Sequence, residues 1–325
     1  MTHFAPPGPL GFGGAPLGNM FEVVDEATAE AALVAAWDSG VRTFDTAPHY
    51  GSGLSEHRFG AVLRRYPRED FVLSTKVGRL LRPDPSRPEN PPFKHGLPFR
   101  VEVDYSYDAT MRSIEDSRQR LGLAEIDVAF VHDVAADHLG DAWTEQFEIA
   151  RKGAFRALSE LRDQGVIKGW GLGVNLTEPC VRALEEADPD VFLLAGRYSL
   201  LNQPALDRLF PMCAERGVHV VVGGPYNSGL LAGGRTFEYQ DAPPEMVEKR
   251  DRIAAICERH GADIRSAALQ FCAAHPVVAA IIPGAKRPEK VRENARLMAQ
   301  SVPAAVWEEL RREGLIPENA PVPTS

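Results

Sequence analysis

EATAEAALVAAWDSGVRTFDTAPHYG, residues 26 to 51, decides the fold, because a helix-type run, a glycine stop and a strand-type run follow one another within it. Ala27, Ala31, Val34 and Ala35 recur at helical spacing, Gly40 ends the helix, and VRTFD reads as a short apolar strand. That strand closes on a carboxylate, Asp45, and Tyr50 arrives five residues later.

The same unit recurs outward from this stretch. PLGFGG at 9 to 14 reads as a first strand. FVLSTK, DATMRSIEDSRQRLG, IDVAFVH, GAFRALSELRDQG, WGLGV, EPCVRALEEA and VFLLA then alternate strand with helix, and two further units are built on HVVVGG and VVAAIIPG. Strands alternating with helices imply a parallel sheet, and eight strand candidates imply an α/β fold of the (β/α)8 barrel type. Such barrels run about 250 residues and longer with insertions. A single domain over residues 1 to 325, with long loops and a C-terminal helix, therefore accounts for the length. Three connections exceed simple turns, at 78 to 104, 133 to 151 and 224 to 245, and all follow strands, which puts them over the rim where the strand C-termini open. The first, RLLRPDPSRPENPPFKHGLPF, has the proline and charge content of a disordered linker, but its place just after Lys76 favours a substrate lid. The tail PENAPVPTS reads as a frayed terminus.

Lys76 and His132 end two further strands, so Asp45, Tyr50, Lys76 and His132 meet on one barrel rim. Taken singly, the Asp is a helix cap, the Tyr a packing residue and the Lys a solvated one; only the joint occurrence points to chemistry. A phenol titrates near pH 10 and exchanges protons at neutrality only if its surroundings favour the phenolate. Lys76 is expected to lower it, Asp45 to keep Lys76 charged, and His132 to donate to a substrate oxygen. The set describes reversible proton transfer at a carbonyl or hydroxyl carbon, with hydride carried by a bound cofactor. HDVAADH, 132 to 138, gathers Asp133, Asp137 and His138 beside His132, but its spacing matches no metal-binding pattern, and no metal is expected. GFGGAPLG lacks the third glycine of a dinucleotide fingerprint, where Pro16 stands, so a Rossmann unit is not expected.

Composition narrows the partners. A net charge of −9 with scattered basic residues gives no nucleic-acid or membrane face, leaving a small-molecule substrate. Cys180, Cys213, Cys257 and Cys272 lie far apart with no CxxC pair, which suits a reduced cytoplasm. No signal-type leader and no run of about 18 apolar residues is present, so a protein that is neither exported nor membrane-spanning is expected.

The chain resembles the aldo-keto reductases, whose Asp, Tyr, Lys, His tetrad matches Asp45, Tyr50, Lys76 and His132. The resemblance runs from LGFGGAPLG through GVIKGWGLGVN to IIPGAKRPEKVRENA. VDYSYDATMRSIEDSRQRLGL and VVVGGPYNSGLLAG resemble the branch holding D-threo-aldose and L-fucose 1-dehydrogenases and pyridoxal 4-dehydrogenase. It implies an NAD- or NADP-dependent oxidoreductase that takes the anomeric hydroxyl of an aldose to a lactone. Oxidation of the pyridoxal hemiacetal is the alternative, and general aldehyde reduction a further one. It also implies a cofactor set: Gly14 under the nicotinamide, Asn175 on its carboxamide, and Pro225, Tyr226, Asn227, Ser228 and Leu230 around the pyrophosphate, held by backbone N–H groups. Gly284, Ala285, Lys286 and Lys290, with Arg287, would meet the adenosine phosphate, and Glu293 and Asn294 the adenine. The chain departs from the family's common pattern at Val174, Ala195, Gly223 and Gly284. His49 and Phe21 are expected as substrate walls. A Schiff-base aldolase using Lys76 and a cofactor-sensing regulatory subunit are the competing readings.

Overall fold

Asp25 fixes the start of the first helix, Glu26–Asp38, by accepting from Thr28 N at 2.9 Å, and Gly40 with φ +84° turns the chain back toward the sheet. The helix buries Ala29, Ala32, Leu33, Ala35 and Ala36, so of the four expected positions Ala35 lies inside, whereas Ala27 is exposed and Ala31 and Val34 only half-buried. The face anticipated from alanine spacing is thus right at Ala35 and rotated from the buried face at the other three positions. In a run this rich in alanine the apolar stripe is too broad to fix the rotation.

The structure, a computed structural model, describes residues 4 to 323. Met1 to His3, counted in the single-domain reading, and Thr324 and Ser325 of the tail lie outside the described residues. Eight parallel strands form one sheet in chain order: β1 Phe12–Gly13, β2 Thr43–Asp45, β3 Val72–Val77, β4 Val128–His132, β5 Gly169–Val174, β6 Val191–Ala195, β7 His219–Gly223 and β8 Val278–Ile282. Bridges Leu10↔Ile281 and Gly13↔Gly284 join the last strand to the first, so the sheet closes into the expected (β/α)8 barrel. Helices pack outside it, ending with Pro288–Ala299 and Ala304–Arg312.

The barrel interior follows from strand alternation, since every second residue of a strand points to the same face. Val128 and Phe130 of β4, Val191 and Leu193 of β6, Val221 of β7 and Ile282 of β8 make a small apolar cluster separate from the main core, with Phe4 against it. The larger core lies between strands and helices and holds Phe44, Phe59, Trp170 and Phe192.

The three long connections are structured. Arg79–Pro83 pairs antiparallel with Phe99–Val103, a hairpin absent from the sequence reading because its interior alternates poorly and is crossed by prolines. Residues 133 to 151 carry helices Ala136–Leu139 and Trp143–Ala150, and 224 to 245 carries a second small hairpin, Thr236–Phe237 with Gln240–Asp241. The tail is not frayed over its described part: Ala320 is fully buried, and Arg311 Nη2 donates to its carbonyl at 2.7 Å.

Candidate active site

Alternation along β2, β3 and β4 carries the polar side chains to the mouth of the barrel. Asp45 is in register with Ser74 and Lys76 with Phe130, two positions before His132, so the three strand ends lie side by side. Lys76 Nζ donates to Asp45 Oδ2 at 2.7 Å and to the Thr46 carbonyl at 2.9 Å, while Ser74 Oγ donates to Asp45 Oδ1 at 2.7 Å. Both charges are sealed from water, Lys76 at 1% and Asp45 at 2% exposure. Burial pushes the Asp45 carboxyl up against the pull of Lys76 and Ser74. Gly173 of β5 makes room for the lysine stem, since a Cβ there would sit 3.2 Å from Phe130 Cβ and 3.4 Å from Lys76 Cε. An ammonium so engaged is not a free nucleophile, which weighs against the Schiff-base reading.

Tyr50 stands in the turn after β2, its N–H on the Ala47 carbonyl at 3.2 Å. The 3-10 turn Ala15–Gly18 presses against it: a Cβ on Gly18 would meet the Tyr50 carbonyl carbon at 2.5 Å. Lys76 Nζ lies 4.8 Å from the Tyr50 ring centroid, and the rings of Phe93 and His132 lie at 5.6 and 5.8 Å. One expectation needs correcting here. Lys76 meets the face of the ring and spends its hydrogen bonds on Asp45 and Thr46, and it does not acidify the phenol. Burial, then the charges of Asp45 and Asp133, push Tyr50 well above its usual range, with Arg79 the opposing cation. The phenol is therefore held protonated.

His132 is buried, and desolvation followed by the charges of Lys76 and Arg79 holds its imidazole well below the usual histidine range, so it is neutral. Tyr105 Oη donates to its carbonyl at 2.7 Å, fixing the strand end. Beside it lie Arg79, which the sequence reading missed, and Asp133, which it weighed only as a metal ligand. Arg79 Nη2 and Asp133 Oδ2 form a buried pair at 2.8 Å, and the same oxygen is 3.4 Å from His132 Nε2 and 3.5 Å from His138 Nε2. The signal was present, since Arg79 follows Lys76 by three residues and Asp133 follows His132 by one. No group of His, Cys, Asp and Glu suited to a metal ion occurs among the described residues.

His49 packs edge-on against Phe93 at 5.2 Å and His132 at 5.8 Å, and its imidazole is pushed down to about 3 by burial and by the charges of Arg79, His138 and Lys76. Phe21 is 39% exposed, with its N–H on the Pro92 carbonyl at 3.0 Å. The proline-rich segment thus folds back over Tyr50: Phe93 bridges to Met20, and Asn90 Nδ2 donates to the His49 carbonyl at 3.1 Å. From the other side Tyr239, on the second hairpin, reaches the site; burial of its phenol, then the charges of Tyr50 and Asp133, raise it although 47% of the residue is open.

The residues expected to hold a dinucleotide fall in two groups. Asn175 directly follows β5 and donates Nδ2 to Asp137 Oδ2 at 2.9 Å. Gly14 N–H binds the Asp45 carbonyl at 2.8 Å, and a Cβ there would meet Phe59 at 2.7 Å, so this glycine is required by packing. After β7 the chain turns through Pro225, Tyr226, Asn227 and Ser228, the last two at φ +46° and +55°. The N–H groups of Asn227, Gly229, Leu230, Leu231 and Ala232 are all used inside this turn. The expected cradle of backbone N–H groups is therefore largely spent, because consecutive tight turns consume their own donors. Tyr226 Oη donates to Asn294 Oδ1 at 2.9 Å, tying the turn to helix Pro288–Ala299. Ala285 is buried, and Gly284 lies against Pro16. Lys290 pairs with Glu293 at 2.7 Å, Arg265, unforeseen, with Glu293 at 2.6 Å and Asp263 at 2.7 Å, and Lys286 with Glu22 at 3.1 Å. An amide at one end and a cation-rich helix start at the other fit the two ends of a nicotinamide dinucleotide.

The Aldo/keto reductase family profile matches residues 9–312. A pyridoxal 4-dehydrogenase of Microbacterium luteolum is 46% identical over 325 residues, covering 94% of each chain. A D-threo-aldose 1-dehydrogenase of Pseudomonas sp is 41% identical over 319 residues, covering 95% of this chain and 94% of that one. Among solved structures, the holo form of an aldo-keto reductase from Bacillus halodurans superposes with a TM-score of 0.73 at 26% identity, covering 100% of this chain and 99% of that one.

Proposed function

From the premise that this chain belongs to the aldo/keto reductase family and is an NAD(P)-dependent oxidoreductase, we propose that it oxidises the anomeric hydroxyl of an aldose of L-fucose or D-threo type to the lactone, reversibly. The observation that carries the reading is the meeting of the half-buried Tyr50 ring with His132 at 5.8 Å and Lys76 at 4.8 Å, over a sealed Lys–Asp pair. One barrel unit spanning residues 1 to 325 would do this in the cytoplasm, a setting supported by four buried, unpaired thiols. No helix among the described residues is long and apolar enough to cross a membrane.

Tyr50 is the proton-transfer group in this reading. As the phenol it donates its proton to the carbonyl oxygen in reduction; in oxidation the same oxygen, having first released its proton to solvent, takes up the lactol hydroxyl proton. The nicotinamide, when bound, exchanges the hydride and in its oxidised form brings a positive charge that eases phenolate formation. Asp45 fixes Lys76, whose Nζ lies 4.8 Å from the Tyr50 ring centroid and holds the ring in place from that side. His132, neutral, orients the substrate oxygen. Asn175 would hold the carboxamide; Gly14, Pro225, Tyr226, Asn227, Ser228 and Leu230 would border the middle of the cofactor; and Gly284, Ala285, Lys286, Lys290, Glu293 and Asn294 would border the adenosine end. His49 and Phe21, with Phe93 and Tyr239, would wall the substrate.

Pyridoxal in its hemiacetal form is the second substrate, favoured by the 46% identity to a pyridoxal 4-dehydrogenase and by the aromatic walls. Both substrates present a ring lactol. The test is reduced-nicotinamide absorbance with NAD and NADP separately, against L-fucose, other aldoses and pyridoxal, with the lactone identified as product. Formation of a lactone with stoichiometric reduced cofactor supports the reading. Turnover of simple aldehydes alone would refute it.

A further inference from the structure

Around Asp133 the structure gathers more polar capacity than the proton transfer uses. The residue sits at φ +53°, a left-handed conformation that Asp and Asn tolerate better than other residues and that is enriched at binding sites. Its N–H is fixed on the Gly173 carbonyl at 2.9 Å, so the carboxylate is held by its own strand end. Oδ2 faces three cationic or donor groups, Arg79 at 2.8 Å, His132 at 3.4 Å and His138 at 3.5 Å, while Oδ1 has no protein hydrogen bond among the described residues. Two buried nitrogens of the same cluster, Arg79 Nε and His132 Nδ1, also lack a partner. His138 is in turn held on Asp137 Oδ2 at 3.2 Å, which also takes the Asn175 amide at 2.9 Å.

An unpaired buried guanidinium N–H and a half-used carboxylate cost stability unless something else completes them. A carboxylate beside a guanidinium is suited to a hydroxyl group, which donates to the first and accepts from the second. Asp133 Oδ2 lies 3.4 Å from the imidazole assigned to the substrate oxygen, so among the substituents of a lactol the one on the neighbouring carbon suits the cluster. We propose that Asp133, supported by Arg79, is a specificity-determining residue that accepts a hydrogen bond from the hydroxyl on the carbon next to the lactol carbon, making this enzyme selective for 2-hydroxy lactols over 2-deoxy ones. This rests on the aldose reading above and names its substrate class.

The experiment compares kcat/KM for L-fucose and its 2-deoxy counterpart in the wild-type enzyme and in Asp133→Asn, a change the left-handed backbone accepts. A hydrogen bond to a charged group corresponds to roughly 10- to 150-fold, so wild type should prefer the 2-hydroxy sugar by about that factor. Asp133→Asn should shrink the preference to below about threefold, whatever its absolute rates. If the aspartate only steadies His132, both substrates fall by the same factor and the preference survives, which overturns the proposal. A wild-type enzyme that treats the two sugars alike overturns it as well. Oxidation of pyridoxal with neither sugar turned over refutes the underlying aldose reading instead, and is told apart by that pattern. Should Asp133→Asn fail to fold, Arg79→Lys serves, with a reduced preference supporting and an unchanged one opposing the assignment.

Discussion

Replacing Lys76 by methionine removes one charge from a sealed pair and leaves the other behind. The side chain is of similar length, so little volume is lost, but Asp45 retains only the Ser74 hydroxyl and the Thr46 carbonyl loses its donor. Breaking a buried pair in this way costs about 3–5 kcal/mol, well above the roughly 1 kcal/mol of an ordinary lost hydrogen bond. Urea unfolding followed by circular dichroism, with the slope unchanged, should show that loss at neutral pH. The deficit has a sign in pH. Without the ammonium, the folded-state pKa of Asp45 rises further above its unfolded value, so the folded variant binds the extra proton and gains stability as pH falls. The gain is about 1.4 kcal/mol per pH unit between the two pKa values. Lys76→Met/Asp45→Asn, which carries no buried charge, should recover about 2 kcal/mol of the loss. A single variant within 1 kcal/mol of wild type, on the roughly ±0.5 kcal/mol scale of neutral surface changes, would refute the sealed-pair argument, as would a deficit that grows in acid.

Gly18→Ala would drive a methyl to 2.5 Å from the Tyr50 backbone; it should cost about 1–3 kcal/mol and lower kcat together, read by urea midpoint and turnover. Tyr226→Phe removes the hydrogen bond to Asn294 and should weaken dinucleotide binding by about 2- to 12-fold, measured as a calorimetric Kd, with kcat little changed. His49, pushed down to about 3, His275, pushed down to about 4, and the buried His132 are neutral when folded and take up protons on unfolding. Stability should therefore fall as pH drops from about 6.5 toward 4, by about 1.4 kcal/mol per unit for each such group, checked by urea midpoints across that window.

What the sequence disclosed and what it withheld divide along a physical line. Strands such as IDVAFVH and VFLLA are legible because a parallel strand, covered on both faces, must be apolar throughout. Asp45, Lys76 and His132 stand out against that background because a polar residue ending an apolar run has few packing reasons to be there. Arg79 and Asp133 stand near Lys76 and His132 in sequence, but their pairing was hidden because it joins a hairpin strand to the residue after β4. The phenol's raised pKa was illegible for a related reason: proximity of Lys76 was foreseeable, but the direction of its ammonium, toward Asp45 and Thr46 and across the ring face, is a matter of angstroms. The tail PENAPVPTS looked unstructured by composition, yet its Ala320 joins the core beside Leu315 and Ile316, which precede it.

The most direct test of the account is Tyr50→Phe, which deletes one oxygen and leaves the ring between Lys76 and Phe93. Turnover of the best lactol substrate should fall by at least about 10²-fold, the lower bound for a positioned acid–base group, while the calorimetric Kd for the dinucleotide stays within about twofold of wild type. A variant that keeps most of its kcat would contradict the account at its centre.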